Sequence, residues 1–177
     1  MRVEASRGGD TLHTRDILVA DFVSAEGDTL TLAVNHHPSK FGGGDSNWRR
    51  RAALDALAGV ADSVRRAGGR LIAMGDFNDT PDNPQYAAFC ARTGLKSLAL
   101  PLARAGQGTI RYEGRWELID HFYVPEGAAA EMTVMKVPFL MTRDNVHAGD
   151  KPKRTFVGPR YAGGVSDHLP IALQFEL

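Results

Sequence analysis

The stretch Arg70-Leu71-Ile72-Ala73-Met74-Gly75-Asp76-Phe77-Asn78-Asp79 decides the fold. Its first half is a short apolar run, which reads as a buried strand closed by glycine and a group of acid and amide side chains. Before it, Ala53, Leu54, Leu57, Val60, Ala61 and Val64 recur at helical spacing. Asp45 or Ser46 is the candidate cap of that helix, and Gly68-Gly69 stops it. After it, a second helix is expected to start near Pro84 with Asn83 as cap, and to stop at Gly94. Asp76 and Asn78 are two apart, so in an extended chain they point the same way. A carboxylate beside a carboxamide suits holding a hydrated cation and orienting a water. An Asx-rich turn leading to Pro81 is the alternative. Asp79 and Asp82 read as turn formers and helix-start charges.

Towards the N-terminus, Ile17 to Val23 and Thr29 to Asn35 read as strands joined by the turn Glu26-Gly27-Asp28, a hairpin. The residues before Thr14 read as polar and irregular. The second strand ends at Val34-Asn35-His36-His37-Pro38-Ser39, ahead of a glycine-rich loop. A histidine there can donate to a phosphate oxygen, act as general acid or bind metal; a surface histidine pair is the alternative. Lys40 and the run Arg49-Arg50-Arg51 could receive phosphate oxygens, or simply form a solvated face.

Towards the C-terminus, strands are expected at Gly108 to Tyr112, Glu117 to Val124, Thr133 to Val137 and Ile171 to Phe175. Alternation puts Leu118, Asp120, Phe122 and Val124 on one face. A carboxylate on an apolar face is costly unless paired, so Asp120 needs a partner, either a histidine or an arginine. Asp167 and His168 stand at the tight entry to the last strand, behind Gly163-Gly164. Many strands with two helices describe an α+β layered domain.

Lys and Arg together number 21, as do Asp and Glu, so the formal net charge is +0 and bulk positive charge is excluded as a way of holding nucleic acid. A phosphate ligand would need a local site. The single cysteine, Cys90, excludes an intramolecular disulfide and reads as a structural thiol in a helix. No apolar run reaches the roughly 18 residues of a membrane span. Met1 to Arg7 have no signal-peptide apolar segment, and localisation stays unassigned.

Taken in order, Asn35-His36-His37-Pro38-Ser39, Gly75-Asp76-Phe77-Asn78-Asp79, Ile119-Asp120-His121 and Ser166-Asp167-His168-Leu169-Pro170 resemble the endonuclease/exonuclease/phosphatase superfamily, the deoxyribonuclease-I-like fold. The resemblance runs from about Asp16 to the C-terminus. It implies part of a four-layer α/β/β/α sandwich and a metal-dependent phosphoesterase using Mg2+ or Mn2+. On the same ground Asp76 resembles the carboxylate that orients or activates water, with Asn78 as its partner in positioning substrate. His168 resembles the histidine beside the scissile phosphate, held by Asp120, and Asp167 resembles a metal-site carboxylate alongside Asp76. His36 resembles the second family histidine, a phosphate ligand or general acid, with His37 as the register alternative. His37, Lys40 and Asn78 are the candidate substrate contacts. His121 has no family role. The family's earlier Asn and metal-binding Glu have no counterpart, since Glu4 lies in a polar start and Glu26 in a turn.

Residues 1–177 are therefore expected to be a single domain lacking its N-terminal half, with Met1 an internal start, the product of a partial gene prediction, or the edge of a trimmed chain. Such a chain would leave a sheet face open, self-associate and show little or no activity. The substrate (nucleic acid, lipid or small phosphoester) and the oligomeric state are left open. A non-catalytic interaction module is the competing function.

Overall fold

The computed structural model describes residues 1–7, 9–40 and 47–176. In chain order the strands and helices are β1 (Glu4–Arg7), β2 (Asp10–His13), β3 (Leu18–Val23), β4 (Thr29–His36), α1 (Asn47–Arg66), β5 (Arg70–Asp76), α2 (Pro84–Thr93), β6 (Leu95–Ser97) and α3 (Ala99–Arg104). They continue with β7 (Ile110–Tyr112), β8 (Arg115–Glu117), β9 (Asp120–Pro125), β10 (Ala130–Val134), β11 (Met141–Arg143), β12 (Asp150–Pro152), β13 (Phe156–Val157), β14 (Arg160–Tyr161) and β15 (Ile171–Phe175). The expected α+β architecture is present, built on a five-stranded sheet of order β3-β4-β5-β9-β6. β3 and β4 form the expected hairpin, β4 and β5 run parallel, and β9 lies antiparallel to β5.

The parallel pair needs a crossover, and α1 supplies it. Its apolar stripe, Ala53, Leu54, Leu57, Val60 and Ala61, packs on one face of the sheet against Ala33, Leu71 and Ala73, together with Tyr86 and Phe89 of α2. The opposite face carries a second core, in which Ile72, Phe122 and Val124 meet Met132 and Val134 of β10. β10 pairs antiparallel with β15 to form a small second sheet over that face. The molecule is therefore layered as helices, large sheet and small sheet.

The caps of α2 follow the sequence: the Asn83 side chain accepts from Gln85 N–H, Pro84 opens the helix, and Gly94 closes it at φ 71°. The proposed caps of α1, Asp45 and Ser46, lie outside the described residues.

Several expectations are corrected. The residues before Thr14 form the hairpin β1–β2, because Val3 enters the core shared with α1. A third helix, α3, packs Leu98, Ala99 and Leu102 into the second core. The strand expected at Thr133 to Val137 lies at Ala130–Val134, held by register with β15. The arginine run is not a uniform solvated face: Arg50 is buried, with Nε 3.7 Å from Asp79 Oδ2 and Nη2 donating to Asn47 Oδ1.

The small second sheet leaves part of the large one uncovered. On the β3–β4 hairpin, Leu18, Phe22 and Val34 share this face and are 66%, 55% and 40% exposed, although Leu30 and Leu32 reach the second core.

Candidate active site

Three neighbouring strands end together. Parallel register sets His36 of β4 beside Asp76 of β5, and antiparallel register sets Asp76 beside Asp120 of β9. One row across the sheet end thus carries a histidine and two aspartates. Gly75 makes this row possible. Its φ is 126°, and a Cβ there would collide with the backbone carbonyl of Asn35 on the neighbouring strand.

Strand alternation settles the histidine pair. Thr31, Ala33, Asn35 and His37 point to the helix layer and are buried, whereas Val34 and His36 point to the other face and are exposed. His36 Nε2 lies 3.4 Å from Asp76 Oδ2. His37 is 2% exposed and packs its ring on Phe77 at 4.6 Å. Burial lowers its pKa to about 3, with His121, Arg50 and His36 adding to the effect. The ring of His37, named above as a substrate contact, therefore sits in the core; its backbone borders the site, the carbonyl accepting from Asn78 Nδ2 at 2.8 Å and the N–H donating to the Asp76 carbonyl at 2.8 Å.

Asn78 folds back over Asp76. Its N–H donates to Asp76 Oδ1 at 2.7 Å, and its Nδ2 donates to Asp76 Oδ2 at 3.1 Å. This Asx-type hook sets Asn78 at φ 50°, a conformation asparagine tolerates. The turn and the site are thus the same structure. Burial raises the Asp76 pKa, reinforced by the charge of Asp120; the Asn78 amide, His168 and His36 oppose the rise.

His168 reaches the row from the loop before β15. Its Nδ1 lies 2.9 Å from Asp120 Oδ2, and its N–H donates to Ser166 Oγ at 3.0 Å. The partner that Asp120 requires is thus a histidine. Burial alone would lower the His168 pKa, but the hydrogen bond and charge of Asp120, with Asp76 and Asp167 behind it, raise it.

Thr109 is a residue the sequence did not single out. It is fully buried, and its Oγ1 donates to the same Asp120 Oδ2 at 2.5 Å. Its carbonyl accepts from Leu169 N–H at 2.8 Å, tying the His168 loop to the Asp120 strand. Its sequence signal is its place in Gly108-Thr109, at the opening of the strand expected over Gly108 to Tyr112.

Lys40 borders the site with Nζ 3.0 Å from Asp79 Oδ1 and 3.9 Å from Glu117 Oε2. Asp79, taken above for a turn former, is 5% exposed; it also accepts from Thr80 N–H, Asn83 Nδ2 and Gln85 Nε2. Asp167 is exposed and lines a cleft with His168 and Asn78. His121 is buried, with Nδ1 3.0 Å from Tyr123 OH and Nε2 3.2 Å from the Leu118 carbonyl. Cys90 is half-buried, and burial pushes its thiol up to about 11, which keeps it protonated.

Carboxylate oxygens such as those of Asp76 and Asp167 are the donor type that Mg2+ or Mn2+ takes. Among the described residues, however, no group of three or more His, Cys, Asp or Glu converges to hold a metal ion. Both oxygens of Asp76 are already engaged by Asn78. The described side chains therefore do not by themselves build a complete cation site. No described helix is long and apolar enough to cross a membrane.

Comparison with solved structures gives the same fold. The human Nocturnin catalytic domain is 20% identical, with a TM-score of 0.56 over 99% of this chain and 57% of that one. Truncated Caenorhabditis elegans TDP2 is 14% identical, with a TM-score of 0.54 over 99% of this chain and 64% of that one. The mannosyl-6-phosphatase of Bacteroides thetaiotaomicron is 16% identical, with a TM-score of 0.51 over 85% of this chain and 52% of that one. The chain thus spans little more than half the length of these structures. No curated protein sequence matches it. A model of the endonuclease/exonuclease/phosphatase family matches residues 2–177. The chain belongs to that family, whose members are phosphoester hydrolases.

Proposed function

We propose that the row of His36, Asp76 and Asp120, completed by Asn78 and His168, hydrolyses a phosphoester by in-line attack of water. The carrying observation is the pairing of His168 Nδ1 with Asp120 Oδ2, next to an Asp76 hooked by Asn78. In this reading Asp76 and Asn78 orient the attacking water. The water gives a proton to the Asp76 carboxylate as its oxygen bonds to phosphorus, the ester P–O bond breaks with the departing oxygen taking a proton from solvent, and negative charge grows on the equatorial oxygens. His168, held by Asp120 in a state that favours protonation, donates to one such oxygen through Nε2. His36 is the second donor. A bound Mg2+ or Mn2+ would add Lewis-acid stabilisation. Asp76 and Asp167 are the carboxylates of this chain suited to it, with further ligands needed from elsewhere.

The substrate class stays at phosphoester; a nuclease, a lipid phosphodiesterase and a sugar phosphatase are all compatible with this fold. Structures of similar fold include a mannosyl-6-phosphatase and the sphingomyelinase C of Streptomyces griseocarneus, and the Nocturnin catalytic domain carries a bound sulfate anion. The competing reading, a non-catalytic module, draws on the incomplete cation site. Hydrolysis of bis(p-nitrophenyl) phosphate and p-nitrophenyl phosphate with Mg2+ separates the two. The proposal expects nitrophenol release that falls at least about a hundredfold in Asp76→Asn. Release equal in wild type and variant supports the module.

A further inference from the structure

The cleft beside the candidate active site measures about 420 Å3 and brings Asn78 and His168 together with Tyr112 and Arg154. Besides His168, the cleft is lined by the basic side chains Lys40, Arg111 and Arg154, of which the first two are already committed. Arg111 donates through Nε to the Gly114 carbonyl, through Nη1 to the Asp150 carbonyl and through Nη2 to the Ala148 carbonyl. Lys40 is held at Asp79. Arg154 is exposed, and its guanidinium makes no hydrogen bond or ion pair among the described residues. Two carboxylates also face the cleft: Glu117, which stands opposite Lys40, and Asp167, which lies beyond ion-pair distance of Arg154.

The Arg154 backbone is held in place. The Arg154 carbonyl accepts from Gly164 N–H at 3.1 Å, and the Lys153 carbonyl accepts from Val165 N–H at 3.1 Å. Thr155 Oγ1 donates to the Val165 carbonyl at 2.6 Å. A Cβ at Gly164 would collide with the Lys153 carbonyl, so this clip requires glycine. The clipped segment runs directly into Ser166-Asp167-His168. One set of hydrogen bonds thus positions both Arg154 and the loop of the candidate catalytic histidine. Tyr112 is 58% exposed at the end of β7 and lines the same cleft.

We propose that Arg154 and Tyr112 form a substrate subsite that selects phosphoesters whose ester portion carries a ring and a second anionic group. Arg154 receives the second anion by a bidentate, charge-assisted contact, and Tyr112 packs against the ring. This subsite rests on the phosphoesterase reading above, since that reading places the first phosphate at His168.

Equilibrium binding to the purified chain tests it without requiring turnover. The probes are phenyl phosphate and 1,4-phenylene bisphosphate, titrated by calorimetry in metal-free buffer. Wild type is expected to bind the bisphosphate about tenfold more tightly, the scale of one charge-assisted contact. Arg154→Ala should abolish that preference while leaving phenyl phosphate affinity unchanged, and Arg154→Lys should restore part of it. Arg160→Ala, which removes an exposed cation from the neighbouring β14, should keep the preference. Equal affinities in wild type, no binding of either probe, a preference that survives Arg154→Ala, or an equal loss in Arg160→Ala would each overturn the subsite. A preserved preference in a chain that hydrolyses no nitrophenyl ester would count against the phosphoesterase reading alone.

Discussion

Asp120 Oδ2 lies 2.9 Å from His168 Nδ1, although the two residues are 48 apart in sequence. The same oxygen accepts from Thr109, so a buried hydroxyl and the imidazole together fix the carboxylate. This contact turns an electrostatic liability on an apolar sheet face into a device that favours imidazolium.

Removing the carboxylate charge should reverse the effect. In Asp120→Asn the burial that opposes protonation remains and the main raising influence is gone. The His168 pKa should then fall, as read from imidazole NMR shifts against pH in chelator-containing buffer. Thr109→Val should move it less and cost about 1 kcal/mol of stability, the loss of one buried hydrogen bond. A His168 titration unaltered in Asp120→Asn would show that the contact carries no charge coupling.

Asp79 ties Lys40, Arg50, Asn83 and Gln85 together beneath the site. The side chains of Asp79 and Arg50 are only 6% and 5% exposed, so removing the carboxylate takes a nearby anion away from a buried guanidinium. Asp79→Ala should lower unfolding stability by about 3–5 kcal/mol in urea titrations. The double variant Asp79→Leu with Arg50→Met should recover part of that loss. A change under about 1 kcal/mol would mean that water already reaches the pair.

Acid should weaken the fold through its buried histidines. Burial lowers His37 to about 3 and His121 to about 4, against 6.5 for a free imidazole. Both are neutral when folded, so their contribution is complete above pH 6.5. As pH falls below that, the unfolded chain takes up protons and the folded one does not. Stability should drop by up to about 1.4 kcal/mol per pH unit for each histidine. The loss should continue to about pH 4 for His121 and about pH 3 for His37. Between pH 6.5 and 5 the slope should be about halved in His37→Phe; an unchanged slope would place His37 in contact with water.

The uncovered face of the β3–β4 hairpin should drive self-association. Leu18 and Phe22 are 66% and 55% exposed beside Val34, a contiguous apolar strip. Sedimentation velocity should show oligomers whose share grows with concentration, and Phe22→Glu should shift them to monomer. A wild-type chain that stays monomeric at high concentration would contradict this.

Much of the site was legible because charge placement on a strand face is costly. Asp120 announced its need for a partner by alternation alone, and the partner is the histidine of the resemblance. The same alternation separates His36 from His37 once β4 is known to continue through His36. Other parts were hidden for physical reasons. α3 is six residues long, carries Pro101 and has no side-chain cap, so its helix rests on packing of Ala99 and its neighbours. β1 is fixed by Val3 entering the core shared with α1, a contact no local pattern encodes. Arg50 looks solvated in a run of arginines, and only the fold brings the buried Asp79 to it.

The central claim is that these side chains act together on a phosphoester. The most direct test follows hydrolysis of bis(p-nitrophenyl) phosphate in 18O-labelled water with Mg2+, by mass spectrometry of the product. The account predicts slow turnover, because the cation ligands among the described residues are incomplete. One 18O should enter the phosphate group, and the signal should vanish in both Asp76→Asn and His168→Ala. No incorporation in wild type, or incorporation undiminished in the two variants, would contradict it.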